Sequence, residues 1–337
     1  MSESQLSRRR LICALLAFGL GSSPLGAGSQ APDSVRRIGF VTLRSGPNEV
    51  DTAFRDALQG LGYVEGRTIL IDYRWAAGSE KRAEELAAEL VARKVEVIVA
   101  ATTPAITAAM RATKSIPIVM AAAADPVGTG MVASLARPGG NVTGLTMVST
   151  DTGAKRLQLL RGLSPTATRI GVILMGAGGP GPEAPVNSLL IEQLQAASRQ
   201  LGVSLTVVGI SGGAELAGAF ATMLRERAQA LIVQASPVTI DNRGRIVELA
   251  ARHRLPALYE VDGFVDAGGL LSYGPSLPDM YRRAAGFVDR ILKGARPADL
   301  PVEEPTRFAL VLNLNAAKRI GLTIPADVLV RADRIIQ

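Results

Sequence analysis

Residues 124–144, ADPVGTGMVASLARPGGNVTG, contain Gly128-x-Gly130-x-x-Ala133, a spacing that matches the relaxed dinucleotide-binding fingerprint. In that fingerprint the glycines bring the backbone close to a pyrophosphate, at the start of the helix that follows the first strand. Here the motif follows the fourth predicted strand, and the turn after the first strand, RSGPNE, lacks it. A nicotinamide-dependent oxidoreductase using these residues is therefore the alternative hypothesis, and we favour a structural turn.

Other residues suited to catalysis are few. His253 is the only histidine and ends a predicted helix, and Cys13 is the only cysteine and falls in an apolar run near the N-terminus. This composition argues against a zinc site or a cysteine nucleophile. The sequence also lacks a Gly-x-Ser-x-Gly elbow and a P-loop. The residues thus offer no recognisable catalytic constellation, and we predict no metal or cofactor.

The N-terminus has the composition of an export signal. In SRRRLICALLAFGLG, arginines at positions 8–10 precede a short apolar run at residues 11–20, and small residues follow. This is the layout of a cleaved signal, and the paired arginines resemble a twin-arginine motif. We predict an export signal over residues 1–31, which takes Cys13 with it when it is removed. The formal net charge of +7 is spread without a basic block, so nucleic-acid binding is not expected.

Apolar segments of strand length alternate with amphipathic helical segments along the rest of the chain. RRIGFVTL, TILIDYRW, VEVIVAA and IPIVMA are predicted strands, and the same rhythm restarts with TRIGVILM after residue 151. Strands and helices at this spacing form βαβ units and parallel sheets. The predicted fold class is α/β, with two similar parallel-sheet lobes joined by a hinge and a ligand cleft between them.

We predict one lobe at residues 32–148 and the other at residues 149–275. Residues 276–337 contain the long helix PDMYRRAAGFVDRILKG, followed by a strand and a helix in TRFALVLNLNAAKRIGL. We expect this terminal region to be hinge-linked to both lobes, with its strand crossing back to the first lobe. A chain of 337 residues is long enough to build both.

Several long segments are similar to those of one known family. They are EGRTILIDYRWAAG, ADPVGTGMVASLARPGGNVTGLT, AARHRLPALY and the C-terminal run from GGLLSYGPSLPDMYRRAAGFVDRILKG to TRFALVLNLNAAKRIGLTIP. With the arginine-rich leader, they resemble the ABC-transporter substrate-binding proteins of the tryptophan/tyrosine-uptake type. The resemblance is collinear over nearly the whole mature chain. It implies a type I periplasmic-binding-protein fold, a small-molecule ligand in the interlobe cleft and no catalysis.

The resemblance also implies a location and partners. It implies a monomeric receptor, exported to the periplasm, that delivers a small metabolite such as an aromatic or other amino acid to an ABC permease. Besides the oxidoreductase, two alternatives stay open: a receptor that signals by docking a sensor protein, and an effector module of the sugar-repressor type. The latter needs a helix-turn-helix before residue 36, and the leader contains none.

Parallel α/β sheets bind ligands beyond the carboxyl ends of their strands, so the candidate binding residues follow the predicted strands. They are Ser45, Thr102, Thr103 and Asp125 in the first lobe and Ser236, Glu260 and Tyr273 in the second. Asp125 and Glu260 are the candidate partners of a ligand ammonium group. Tyr273 is either a stacking surface for a flat ligand or a packed core residue.

Three of these candidates, Thr102, Thr103 and Asp125, also have a simpler structural interpretation. Thr102-Thr103-Pro104 offers hydroxyl and N–H groups at a helix start, where a carboxylate could dock, or else it is an ordinary helix cap. Asp125 either pairs with an ammonium group or caps the next helix. Arg44 is expected to be a solvated surface charge rather than a bidentate carboxylate ligand.

Overall fold

The computed structural model describes residues 35–147, 152–176 and 184–337. The predicted export signal at residues 1–31 and the expected lobe boundary at 148–149 lie outside the described residues. The described part forms two α/β lobes, each built on its own sheet, which confirms the predicted fold class. Within it, no helix combines the length and the apolar character needed to cross a bilayer.

The first lobe contains five strands and three helices in strict alternation up to the fourth strand. They are β1 (Arg36–Thr42), α1 (Glu49–Gly60), β2 (Ile69–Trp75), α2 (Glu80–Ala92), β3 (Val97–Ala101), α3 (Thr103–Ala112), β4 (Ile118–Ala123) and β5 (Val142–Thr146). All strand pairs are parallel, in the order β2-β1-β3-β4-β5. The central strands are continuous buried apolar runs, as in a parallel sheet covered on both faces.

The second lobe repeats this plan. It contains α4 (Thr152–Leu163), β6 (Arg169–Met175), α5 (Ala184–Leu201), β7 (Ser204–Ile210), α6 (Leu216–Arg225), β8 (Ala230–Val233), α7 (Pro237–Asp241), α8 (Arg243–Arg252), β9 (Ala257–Tyr259), α9 (Gly263–Asp266) and β10 (Leu271–Pro275). The segment between β8 and β9 forms two helices, α7 and α8, divided at Asn242. His253 caps the end of α8, in agreement with its predicted place at a helix end.

Helix α10 (Leu277–Leu292) returns from the second lobe to the first. Its buried face, with Met280 and Phe287, packs into the same cluster as Phe40 and Phe54 of the first lobe. After α10 the chain goes back to the second lobe and forms β11 (Phe308–Asn313), α11 (Leu314–Ile320), α12 (Ala326–Val330) and β12 (Arg334–Ile336).

The second sheet therefore has the order β12-β11-β10-β9-β8-β6-β7. It is parallel except where β11 pairs with β10 in the antiparallel sense. The expectation that this strand crosses back to the first lobe was wrong, because α10 is the element that crosses. The chain thus passes between the lobes after β5, after β10 and after α10.

Two side chains connect the cores of the lobes at these crossings. Met147 follows β5, and Leu277 begins α10; each packs against a buried cluster of the first lobe and against one of the second. The crossings are therefore apolar contacts shared by both lobes. These contacts form the base of the cleft, where the two lobes meet.

Candidate ligand-binding cleft

A cavity of about 200 Å³ lies between the lobes. It is smaller than the ~300–1,000 Å³ pockets of drug-sized ligands, so it suits a small metabolite. Its wall comes from residues that follow β1, β3, β4 and β5 in the first lobe and β8 and β9 in the second, together with α4, α5 and α10. The lining residues include Arg44, Glu49, Thr102, Thr103, Met147, Arg156, Ser236, Ile240, Arg243, Glu260, Asp262, Phe264, Asp266, Leu277 and Tyr281.

Arg44 follows β1 and is buried, with 4% of its surface exposed. Its Nη1 and Nη2 donate to the two carboxylate oxygens of Asp51, at 2.9 and 2.5 Å. Asp51 also accepts from the backbone N–H of Asn48, which completes the capping box of α1. The expectation of a solvated charge was wrong, since the first turn of α1 lies against the end of β1. The Nε atom of Arg44 is buried without a hydrogen-bond partner.

Helix α3 begins at the cavity without a side-chain cap. Thr102, the residue before the helix, has φ +85°, a strained value for a β-branched residue, and its hydroxyl does not cap the helix. Its Oγ1 is buried and has no hydrogen-bond partner. Thr103 also lines the cavity and is 2% exposed. The helix-cap interpretation therefore fails for Thr102, whose strained backbone and unpaired hydroxyl lie in the cavity wall.

In the second lobe, Glu260 follows β9 as predicted, but it is already paired. Its Oε1 accepts from Arg156 Nη1 at 2.6 Å, and its Oε2 accepts from the backbone N–H of Ala235 at 2.9 Å. Arg156 Nε donates to the carbonyl of Tyr273 at 2.9 Å. Arg156 was not among the sequence candidates, because it lies within α4, 104 residues before Glu260. Glu260 therefore anchors a buried ion pair in the cavity wall.

A second acidic group lines the same wall. Asp262 and Asp266 share one partner, Arg334, at 3.9 and 2.8 Å. Two carboxylates facing one guanidinium leave one excess negative charge. Burial and the nearby charge of Asp266 raise the pKa of the Asp262 carboxyl above its usual range. This pair is the uncompensated acidic group of the cavity wall in the described part of the chain.

Ser236 and Tyr273 occupy different positions. Ser236 lines the cavity and caps α7, its Oγ accepting from the N–H of Thr239 at 3.2 Å. Tyr273 lies outside the cavity wall, where its ring stacks on Phe308 at a centroid distance of 6.0 Å. Its backbone carbonyl orients Arg156. The geometry thus favours the packing interpretation for the Tyr273 side chain.

Asp125 also lies outside the cavity wall, in the turn after β4. Its Oδ1 accepts from the N–H of Gly128 at 2.8 Å. A side chain at Gly128 would place its Cβ 2.0 Å from Asp125 Oδ2, so this glycine makes room for the turn. Residues 126–130 form turns, and no helix follows before β5. The Gly128–Ala133 spacing therefore lacks the helix start on which a dinucleotide phosphate would dock.

The lobes contact each other directly at the cleft. Ser45, after β1, donates from its backbone N–H and its hydroxyl to Asp241 Oδ2 of α7, at 3.0 and 2.8 Å. Oε2 of Glu49 in the first lobe lies 3.9 Å from Nη2 of Arg243 in the second lobe. Ser45 itself is outside the cavity wall. These contacts join the two lobes across the cleft, and we call them the interlobe latch.

The rest of the cavity wall is largely apolar. It includes Phe264 and Ile240 from the second lobe and Met147 and Leu277 from the crossings. Tyr281, on α10, lies against the Arg44 guanidinium, and burial raises the pKa of its phenol to about 12. The phenol is therefore neutral at physiological pH. Sequence reasoning missed Tyr281 because it lies on a helix rather than at a strand end.

Residues 43–336 match the family model of the ABC transporter substrate binding proteins. The chain belongs to this family. A tyrosine-binding protein from Clostridioides difficile (strain R20291) is 27% identical over 334 residues, which is 94% of both chains. The resemblance stated from the sequence segments is thus confirmed.

Two solved structures are similar to this chain over most of its length. A domain from Streptococcus pneumonia in complex with L-Trp is 26% identical, with a TM-score of 0.80 over 90% of this chain and 100% of that one. A ligand-free, open substrate-binding protein with adhesive properties from Clostridium difficile is also 26% identical over the same shares, with a TM-score of 0.63. The chain is thus more similar to the L-Trp complex than to the ligand-free, open structure.

The buried pair of Arg156 and Glu260 predicts a specific stability pattern. Arg156→Met leaves Glu260 buried with only one backbone N–H, so we expect the free energy of unfolding to fall by about 3–5 kcal/mol. The double variant Arg156→Met/Glu260→Gln removes both charges, and we expect it to recover most of this loss. Urea unfolding measures both.

Arg252→Met is the matched control, because its exposed pair with Glu248 on α8 is worth about 0.5 kcal/mol or less. If the single and double variants at Arg156 are equally destabilised, packing rather than the unpaired charge explains the loss.

Proposed function

We propose that this protein is an exported receptor that binds an aromatic amino acid in the interlobe cleft and delivers it to an ABC permease, without catalysing a reaction. The main support for this proposal is that the two cavity walls differ in their polar groups. The first lobe offers buried hydrogen-bond donors and a helix start, and the second carries one excess negative charge at Asp262 and Asp266. An amino acid zwitterion has the matching pair of charges.

The apolar part of the wall supports an aromatic side chain. Phe264, Leu277 and Met147 offer ring and aliphatic surface between the two polar regions. Rings gain both from area buried and from edge or face contacts with aromatic neighbours. The tyrosine-binding relative and the relative in complex with L-Trp support the same class of ligand.

The family and the predicted export signal support the transport role. In this proposal the export signal places the receptor in the periplasm, and the ligand-bound, closed form presents both lobes to the permease at once. A ligand drives such closure only when it binds the closed state better than the open state. The interlobe latch adds to that difference, because its bonds form only when the lobes meet.

A binding panel tests the proposed ligand class. Purified protein, unfolded and refolded to remove any bound ligand, is titrated by calorimetry with L-tyrosine, L-tryptophan, L-phenylalanine, L-leucine, L-lysine, galactose and NADH. We expect an aromatic amino acid to bind most tightly, and at 100 times its Kd to add about 2.7 kcal/mol of stability. Binding of NADH alone would refute the proposal and restore the oxidoreductase hypothesis.

The interlobe latch predicts a kinetic effect. Asp241→Asn removes the charged acceptor of Ser45, so we expect L-tyrosine to dissociate about 3- to 10-fold faster, with little change in association rate. Stopped-flow fluorescence measures both rates. Asp327→Asn, an exposed change on α12, is the control. Equal dissociation rates in the two variants would exclude a role for the latch.

Asp262 predicts a pH dependence of binding. An ammonium group needs the ionised carboxylate, and burial and Asp266 raise the pKa of Asp262. Affinity for L-tyrosine should therefore fall as the pH drops from 7.5 to 4.5, earlier than an ordinary aspartate would cause. Asp262→Asn should bind more weakly at pH 7.5 and show a flatter profile, measured by calorimetry.

The contribution of Asp262 to the stability of the fold changes with pH in the opposite direction to its contribution to ligand affinity. The two pH dependences can therefore be told apart. Because the pKa of Asp262 is raised in the folded state, its contribution to the free energy of unfolding is retained at low pH and lost as the pH rises. Acid unfolding caused by this group thus cannot produce the expected loss of affinity. An unchanged pH profile in Asp262→Asn would exclude the carboxylate as the ammonium partner.

A further inference from the structure

Glu303 fastens the chain that leaves α10 to α10 itself. Its Oε2 accepts from Arg283 Nη2 at 2.6 Å, and its Oε1 accepts from Arg290 Nη2 at 3.3 Å. The two arginines lie on the same face of α10, about two helical turns apart. Glu303 is outside the cavity wall, so these contacts are separate from those of a ligand in the cleft.

The backbone of Glu303 extends the sheet of the first lobe. Its N–H donates to the carbonyl of Gly144 at 2.9 Å, and its carbonyl accepts from the N–H of Thr146 at 3.0 Å. These bonds form one parallel bridge to β5, the strand at the edge of that sheet. Thr143 Oγ1 also donates to the carbonyl of Leu300 at 2.6 Å. The chain is thus bound to the first lobe before it returns to the second.

The three crossings between the lobes meet the first lobe here. The first crossing leaves from β5, the second ends at the start of α10, and the third leaves from the segment bound to β5. Glu303 contacts β5 through its backbone and α10 through its carboxylate. Because Leu277 and Tyr281 of α10 line the cavity, a residue that holds α10 against β5 also holds the shape of the cavity.

From this arrangement we infer that Glu303 is a positioning residue for ligand binding. Its carboxylate, with Arg283 and Arg290, holds the first-lobe ends of the crossings as one rigid unit, which we call the crossing clamp. The inference rests on the proposed function and states what sets the affinity of the cleft from outside the cavity wall. Closure then bends the crossings on the second-lobe side of the clamp.

The crossing clamp lowers the free-energy cost of closure. Without it, α10 and the third crossing gain freedom in the open state, and the ligand and the interlobe latch must restrict that freedom on closing. The side chains of Arg283 and Arg290 are 23% and 42% exposed. Ion pairs exposed to this extent are individually weak, so losing the carboxylate charge should weaken ligand binding rather than abolish it.

Removing the charge of Glu303 tests the crossing clamp. Glu303→Gln keeps the length of the side chain, and we expect it to bind L-tyrosine about 3- to 10-fold more weakly, as measured by calorimetry. Glu304→Gln, at the adjacent exposed carboxylate, is the matched control and should leave the affinity unchanged. Leu86→Ala controls for stability, because Leu86 packs into a different buried cluster from α10. It should lower the free energy of unfolding and leave the affinity unchanged.

Hydrogen exchange, followed by mass spectrometry on peptides that contain residues 146 and 303, shows whether the clamp stays formed. In the parent protein we expect these peptides to exchange equally slowly with and without L-tyrosine, because the clamp holds in the open and closed states. In Glu303→Gln they should exchange faster without ligand and regain protection with it. Protection that rises in the parent protein when ligand is added would place the bending at the clamp itself and overturn the inference.

The outcomes separate this inference from the proposed function. Glu303→Gln binding L-tyrosine as tightly as the parent protein overturns the crossing clamp, and so does an equal loss of affinity in Leu86→Ala; in either case the receptor proposal stands. No binding of L-tyrosine, L-tryptophan or L-phenylalanine to the parent protein overturns the proposed function and the role of the clamp with it.

Discussion

The charge of a buried arginine must be neutralised by a nearby carboxylate for the fold to be stable, and each wall of this cleft contains one such pair. Arg44 with Asp51 lies in the first lobe, and Arg156 with Glu260 lies in the second. Both partners of each pair come from the same lobe, so neither pair depends on the closure of the cleft. Both buried arginines are therefore neutralised before the lobes meet, and breaking either pair would leave a buried charge without a partner.

The two pairs also decide what remains available to a ligand. Arg44 has used its terminal nitrogens on Asp51, and Glu260 has each oxygen bonded to Arg156 or Ala235. The strongest charges of the wall are thus internal. In the proposed function, the groups of the described wall left for a ligand are one guanidinium N–H, one strained threonine, and the excess charge of two aspartates that share Arg334.

Sequence reasoning found the fold and the edge of the sheets where the cleft lies, because both depend on local patterns. Apolar runs alternating with amphipathic helices predict parallel sheets, and parallel sheets place their sites at the strand ends. Thr102, Thr103, Ser236 and Glu260 were found in this way and do line the cavity. Asp125 and Tyr273 also follow strands, but the turn and the core use their side chains.

What the sequence did not predict depends on contacts between distant parts of the chain. Arg156 and Tyr281 reach the cavity from helices, and only the packing of α4 and α10 against the sheets shows which of their side chains face it. The burial of Arg44 follows from the position of α1 over β1, which strand patterns do not encode. The crossing of α10 was misassigned for the same reason, since the antiparallel pairing of β10 with β11 has no local signal.

The division of the cleft into two unlike walls has a consequence for closure. A molecule that meets only the donors of the first lobe binds the open and closed states equally, and equal affinity shifts no equilibrium however tight the binding. In the proposed function, closure requires a ligand whose other end makes favourable contacts with the second lobe, where Asp262, Asp266 and Phe264 line the cavity. An aromatic zwitterion makes favourable contacts with both lobes at once only when the lobes meet. In the proposed function, the closing motion itself therefore selects for such a ligand, and the hydrogen bonds between Ser45 and Asp241 form only after the lobes have met.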